Sequence, residues 1–119
     1  MAKLDETKVR TAFQTAVNMS AAELRDWLAT DESWKVGFKR KGSNESIGHA
    51  SGRHIVTLLG KDQAELTADD YRHMRKVVGY VNRHCAQRPE NIYTSRWRYS
   101  LMNWGHDPTK EASGERLSR

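Results

Sequence analysis

Apolar side chains recur at three- and four-residue intervals between Ala68 and Gln87, in a long periodic stretch of the chain. The recurring residues are Tyr71, Met74, Val78, Val81 and Cys85. This spacing places them on one face of an α-helix, because an α-helix has about 3.6 residues per turn. Thr67 precedes the stretch as an N-cap residue, and Pro89 marks its end. The pattern predicts one long amphipathic helix with a single buried face.

The opposite face of this predicted helix is cationic. On a helical wheel, Arg72, Lys76 and Arg83 fall within about 40° of one another, and Arg75 widens the group on one side. We call these four residues the basic ridge. A row of cations on a helix face is typical of a solvated surface, and it is also typical of a surface that contacts phosphates.

Helical periodicity describes the rest of the chain as well, and no stretch shows the alternation of a β-strand. Ser20 and Glu23 form a capping box ahead of a short helix. The other predicted helices cover residues 5–18, 46–59 and 95–104, the last of them capped by Thr94. We therefore expect an all-α fold, a compact single-domain bundle of about five helices over residues 1–108. Residues 109–119 are polar and mixed in charge, and we predict a disordered C-terminal tail there.

Two glycines interrupt the helix predicted over residues 46–59. Gly48 and Gly52 each cost about 1 kcal/mol of helix propensity relative to alanine. Their spacing of four residues puts them on the same side of the helix, where they would let a second helix approach closely. Gly60 is predicted to end this helix as its C′ residue.

The stretch TSRWRYSLMNWGHDP, residues 94–108, combines tryptophans with arginines. Trp97, Leu101 and Trp104 share one narrow stripe of the predicted helix, which favours core packing over base stacking for both tryptophans. Arg96 lies away from that stripe, and Arg96 and Arg98 are both candidates to remain exposed. Cations beside a helix start suit phosphate binding, because the free backbone amides there also attract anions.

Charge is distributed unevenly along a chain whose net charge is +5 and whose isoelectric point is about 9.6. Residues 1–34 hold four basic against six acidic side chains, whereas residues 35–119 hold sixteen against nine. This basic block favours a polyanionic partner. The plainer interpretation is a soluble protein that is rich in lysine and arginine.

A glycine-flanked loop, KVGFKRKGSNES, is predicted over residues 35–46. Lys39, Arg40 and Lys41 give it three consecutive cations. Such a run is common in solvated surface loops, and it would also serve as a mobile finger that contacts phosphates.

Histidine spacing argues against a metal site on any one helix. His49 and His54 are five residues apart and point about 140° from each other on a helix. A site assembled between helices, for example from His49, His54 and His106, stays open as an alternative. The chain contains none of the common zinc, phosphate-loop or nucleophile motifs. We therefore expect no enzyme activity, no cofactor, no metal and no small-molecule substrate.

Cys85 is the one cysteine, and its place in the apolar stripe indicates a small buried hydrophobic residue. A secreted domain of this size would usually need disulfides, and the first residues lack the apolar run of a secretory signal. No apolar stretch is long enough to cross a membrane. We expect a cytoplasmic location, with association to the nucleoid if the protein binds DNA.

Four sequence blocks resemble a bacterial family described as domain of unknown function 3140. They are SAAELRDWL, ESIGHASGRHIV, YRHMRKVVGYVNRHCAQRP and RWRYSLMNWGHDP, and together they cover most of residues 20–108. Members of that family are small and helical and are often labelled DNA-binding proteins. The resemblance implies a helical fold and DNA binding, and it implies no particular site residue.

These observations predict a small basic DNA-binding protein that contacts mainly the phosphate backbone, with low sequence specificity. The residues expected to contact DNA are Arg72, Arg75, Lys76 and Arg83, together with Lys39, Arg40, Lys41, Arg96 and Arg98. The alternative is a protein-interaction module or a homo-oligomer, such as a homodimer, whose acidic N-terminal third docks on a basic patch without any nucleic acid.

Overall fold

Helices account for most of the described chain. The computed structural model describes residues 3–93 and 95–110, with side chains from residue 5 onward. The elements are α1 (Lys3–Ala16), α2 (Ala21–Leu28), α3 (Asp31–Lys35), α4 (Ile47–Leu59), a 3-10 turn (Gln63–Glu65), α5 (Ala68–Cys85) and α6 (Arg96–Asn103). The predicted all-α bundle is confirmed: five helices of at least eight residues are joined by two short ones, α3 and the turn. Apart from residues 109 and 110, the predicted tail lies outside the described residues.

Capping residues start α2 and α5 where the sequence predicts them. The Ser20 hydroxyl accepts a hydrogen bond from the Glu23 amide, and the Glu23 carboxylate accepts one from the Ser20 amide. Thr67 and Asp70 form the same reciprocal pair at the start of α5. Each cap satisfies two backbone amides that have no partner inside the helix, which fixes the point where the helix begins.

The start of α6 differs by one residue from the prediction. The Ser95 hydroxyl caps the helix by accepting from the Arg98 amide at 3.2 Å, and Thr94 lies outside the described residues. Gly105 has φ +82°, a left-handed conformation that favours glycine, and it follows the last turn of α6. Helix α4 ends at Leu59, just before Gly60, as predicted, but Gly60 is its C-cap residue with a right-handed φ of −91° rather than a left-handed C′ glycine.

The buried face of α5 is wider than the apolar stripe predicts. Tyr71, Met74 and Val81 are buried, and Val78 and Cys85 are partly buried against the core. Val77, which the predicted stripe omits, is completely buried. The reason is that α5 packs against both α1 and α6, so its core contacts extend over more of its circumference than one partner would require.

Close packing of α4 explains its two glycines. A Cβ atom on Gly52 would lie 2.5 Å from the backbone oxygen of Asn103 and 2.7 Å from Leu28 Cδ2. A Cβ atom on Gly48 would lie 2.8 Å from Trp104 Nε1. The close approach predicted for these glycines is therefore confirmed, and it brings α4 against α6 and α2.

Asn103 is a buried polar junction between three helices. Its Oδ1 accepts hydrogen bonds from Trp27 Nε1 at 2.8 Å and from Ser33 Oγ at 2.5 Å, and its Nδ2 donates to the Ser33 carbonyl at 3.0 Å. Because an indole nitrogen can only donate, the atom that faces Trp27 must be the amide oxygen. The residue thereby ties α6 to α2 and α3.

The tryptophans of α6 pack inward, as predicted. Leu101 is completely buried, Trp104 is 4% exposed, and Trp97 is partly buried with its indole nitrogen donating to the His84 carbonyl at 2.7 Å.

None of the helices in the described part of the chain is both long and apolar enough to cross a membrane.

Candidate nucleic-acid interface

The basic ridge lies on the solvent side of α5. Arg72, Arg75, Lys76 and Arg83 are all exposed, as the helical wheel predicts. Their orientation follows from the fold, since the opposite face of the same helix is held in the core by its apolar residues.

Most of the ridge charge is not offset by neighbouring carboxylates. Arg72 forms an exposed ion pair with Asp69, one turn earlier in α5. Within the described residues, no carboxylate lies in ion-pair range of Arg75, Lys76 or Arg83. The Arg83 guanidinium folds back over Gly79, where an added Cβ would lie 3.0 Å from its NH1 atom. Three cations of the ridge therefore remain available to an anionic partner.

The loop over residues 36–46 is anchored at its base. The Phe38 carbonyl accepts from the Ile47 amide at 2.9 Å, and Lys39 and Ser46 form an antiparallel bridge. At the tip, the Ser43 amide donates to the Arg40 carbonyl at 2.9 Å, and Gly42 adopts φ +83° in this turn. We call residues 36–46 the basic loop; its cations Lys39, Arg40 and Lys41 are exposed.

A cleft joins the basic loop to the basic ridge. It has a volume of about 340 Å³, and Arg40 from the loop and Lys76 from α5 both line it. Ser51, His54 and His73 line the same cleft between α4 and α5. The fold thus brings together two groups of cations that lie more than thirty residues apart in the chain. We call this space the loop–ridge cleft.

Glu45 is the acidic residue at this cleft, and its charge is offset by an arginine. Its two carboxylate oxygens accept from Arg53 Nε at 2.8 Å and Arg53 NH2 at 2.6 Å, and His49 Nδ1 lies 2.5 Å from Oε2. The hydrogen bonds from Arg53 lower the pKa of Glu45 to about 2, with a further contribution from His49. The carboxylate is thus ionised and already bound, which limits its repulsion of an anion in the cleft.

Two histidines stack at the loop–ridge cleft. The rings of His54 and His73 are 4.2 Å apart between centroids, at 24° between planes. His73 Nε2 lies 2.8 Å from the Ser51 hydroxyl, and His54 Nε2 lies 3.1 Å from Asp70 Oδ1. Burial, together with the nearby His54 and Lys76, lowers the pKa of His73 to about 4. His73 is therefore neutral near pH 7 and offers the cleft hydrogen-bonding capacity without charge.

This histidine pair was not predicted from the sequence. The two residues come from different helices, and helical spacing relates only residues on one element. The set that the sequence analysis left open, His49, His54 and His106, is not brought together, since His106 Nδ1 bonds to the Ala16 carbonyl at 2.7 Å. Across residues 3–93 and 95–110, no group of three or more His, Cys, Asp or Glu side chains could hold a metal ion.

The two arginines of α6 differ in their surroundings. Arg98 is bound to Asp107 through Nε at 3.2 Å and NH2 at 3.1 Å, and its NH1 donates to the Tyr93 carbonyl at 2.5 Å. This bidentate ion pair offsets the Arg98 charge and fastens the chain after α6, so we leave Arg98 out of the interface proposed below. Arg96 is exposed, and its NH2 lies 3.5 Å from the Lys35 carbonyl, next to the basic loop.

Hydrogen bonds determine the pKa of Asp107. Burial alone would raise its pKa, but the hydrogen bonds from Arg98 and Thr109 lower the pKa below its usual value. The group is therefore ionised, and the pair with Arg98 is a structural ion pair rather than a vacant anion site.

Comparison with known proteins identifies a family and nothing finer. No curated protein and no solved structure matches the chain. The family model described as "Protein of unknown function (DUF3140)" matches residues 12–102, which include α2 to α5 in full, all of α6 except Asn103, and the last five residues of α1. The chain belongs to the DUF3140 family.

Proposed function

We propose that this chain is a DNA-binding protein, and not an enzyme, that contacts mainly the phosphate backbone. The proposed interface consists of the basic ridge and the cations of the basic loop, with Arg96 beside the loop at its edge. The observation that carries the proposal is the exposed, largely unpaired basic ridge, joined to the basic loop at one cleft by Lys76 and Arg40.

Stability does not account for this arrangement of cations. Arg72 and Lys76 are four residues apart on α5, and Arg72 and Arg75 are three apart. Like charges at these spacings destabilise a helix by about 0.2–0.5 kcal/mol per pair, and the pair between Arg72 and Asp69 offsets part of this cost. A polyanion would remove the repulsion, so the ridge is better explained by a partner than by the fold itself.

The dimensions of the ridge suit a duplex backbone. Arg72 and Arg83 are eleven residues apart, which is about 16 Å along the helix. Phosphates of one DNA strand follow one another about every 3.4 Å along the helix axis, so the ridge spans several of them. Contacts of this type position a protein on DNA without reading its sequence, and we propose low sequence specificity. We also propose a bacterial origin, which the family resemblance implies, and a cytoplasmic location in association with the nucleoid.

The salt dependence of binding tests this proposal. We expect four to six phosphate contacts, for which the logarithm of the binding constant falls with the logarithm of salt concentration with a slope of about −4 to −5. The measurement is fluorescence anisotropy of a labelled duplex at several salt concentrations, with heparin as a second polyanion. Affinity that barely changes between low and moderate salt would contradict the mechanism.

The competing hypothesis, a homo-oligomeric or protein-interaction module, predicts a different result in the same samples. A stable dimer in sedimentation that does not bind duplex DNA at any salt concentration would support it. A monomer that binds DNA with the expected slope would support the phosphate-contacting function.

A further inference from the structure

A second cleft is also lined by Lys76, and its lining is more apolar than that of the loop–ridge cleft. It has a volume of about 310 Å³, at the small end of ligand pockets, which cover about 300–1,000 Å³. Its walls include the aromatic rings of Phe38, Tyr80 and Trp104, and Lys76 and Arg83 also line it. We call this space the aromatic cleft.

Phe38 stands at this cleft as an exposed aromatic ring. Its side chain is 73% exposed, although its backbone is fixed by the bond between its carbonyl and the Ile47 amide. The ring is therefore presented to solvent by an anchored segment, with the exposed cations Lys39 and Arg40 directly after it in the chain. Aromatic side chains beside cations are the usual elements of a surface that stacks nucleobases.

Trp104 places an unused hydrogen-bond donor at the wall of the cleft. The side chain is 4% exposed, and no described residue accepts a hydrogen bond from its indole N–H. The ring nitrogen lies next to Gly48, which also lines the cleft, since a Cβ atom there would be 2.8 Å from it. A ligand with an acceptor atom at this wall would accept a hydrogen bond from the indole N–H.

Tyr80 forms a flat wall behind this donor. Its ring stacks on Trp104 with centroids 4.3 Å apart and planes 15° apart. Burial raises the pKa of Tyr80, which keeps the hydroxyl neutral. The cleft thus combines flat apolar surfaces, one free donor and two cations that can meet phosphates.

We infer that the aromatic cleft binds one unpaired nucleobase of single-stranded DNA. Phe38 stacks on the base, the Trp104 N–H donates to an acceptor on the edge of the base, and Lys76 and Arg83 contact the flanking phosphates. A base inside a duplex is paired and stacked, so it cannot enter the cleft without leaving the helix. The inference rests on the proposed function, and it adds a preference for unpaired strands.

An abasic oligomer tests this inference, because it keeps the phosphates and lacks the bases. We expect a 20-nucleotide thymidine strand to bind about tenfold more tightly than an abasic strand of equal length at the same salt, since stacking one base on an aromatic ring has about this effect. Phe38→Ala should remove most of this difference by weakening thymidine-strand binding alone. Phe38→Tyr should restore it.

Tyr93→Ala is the matched control, because Tyr93 is 54% exposed and does not line the aromatic cleft. It should leave both affinities unchanged. Equal affinity of the unaltered protein for the two strands, or an equal effect of Phe38→Ala on both, would overturn the base-binding cleft and leave the phosphate-contacting function in place. Failure of both strands and of duplex DNA to bind would instead overturn the proposed function.

Discussion

Reversal of three ridge charges, in the variant Arg72→Glu, Lys76→Glu, Arg83→Glu, should weaken binding to duplex DNA by a factor on the order of 100 or more at about 0.1 M salt. Each substitution removes a phosphate contact and adds a repulsive charge at the same position. All three side chains are exposed, so the bundle should keep its fold. The measurement is anisotropy for affinity, with the circular-dichroism signal at 222 nm as the check on helix content.

A second triple variant tests whether binding depends on the position of the charges or only on their number. Lys8→Glu, Arg25→Glu, Lys35→Glu changes the net charge by the same amount, and these three exposed residues lie on α1, α2 and α3. This control should lose far less affinity than the ridge variant. An equal loss of affinity in the two variants would mean that binding depends on the net charge of the protein alone. That result would refute a defined interface.

Asn103→Ala should lower the free energy of unfolding by about 3 kcal/mol, because it leaves two buried groups and one partly buried group without partners. Trp27 Nε1 and the Ser33 hydroxyl lose their acceptor, and the Ser33 carbonyl loses its donor. In a bundle of this size the melting temperature should fall by about 10 °C or more. Thermal unfolding followed by circular dichroism measures the change.

Asn82→Ala is the control for this prediction, since Asn82 is exposed on α5. Its effect on unfolding should stay within about 0.5 kcal/mol, as for most surface substitutions. If Asn103→Ala melted at the same temperature as the unaltered protein, the buried junction between α2, α3 and α6 would have no role in stability.

Features that lie within one element could be predicted from the sequence. The periodicity of α5 placed its cations outside and most of its apolar residues inside, because the direction of a side chain on a helix follows from its position alone. The capping boxes at Ser20 and Thr67 are equally local. The glycine pair of α4 was informative because its propensity cost requires a close neighbour, which Asn103 and Trp104 turned out to be.

Features that depend on packing between elements could not be predicted. Val77 is completely buried because α5 has two packing partners, and helical periodicity contains no information on how many neighbours a helix has. The helix α3 has five residues, too few to show a period, and it is fixed by the contact of Ser33 with Asn103. The ion pair of Arg98 with Asp107 depends on the turn after α6.

The loop–ridge cleft and the aromatic cleft also depend on packing between elements, so the sequence did not predict them. Arg40 and Lys76 line one cleft together, and Phe38, Tyr80 and Trp104 line the other, only once the chain has folded. The sequence indicated the cations of the basic loop and of the basic ridge, but as two separate groups. It gave no sign that Phe38 and Trp104 line the same cleft, because residues so distant in the chain share no period.

Amide chemical shifts in ¹⁵N-labelled protein during a titration with duplex DNA test the central claim most directly. Binding at the proposed interface predicts the largest shifts at residues 38–41 and along the outer face of α5 at positions 72, 75, 76, 79 and 83. Amides of the acidic segment 21–32 should change little. Saturable binding whose shifts concentrate in that acidic segment, with the outer face of α5 unaffected, would contradict the account.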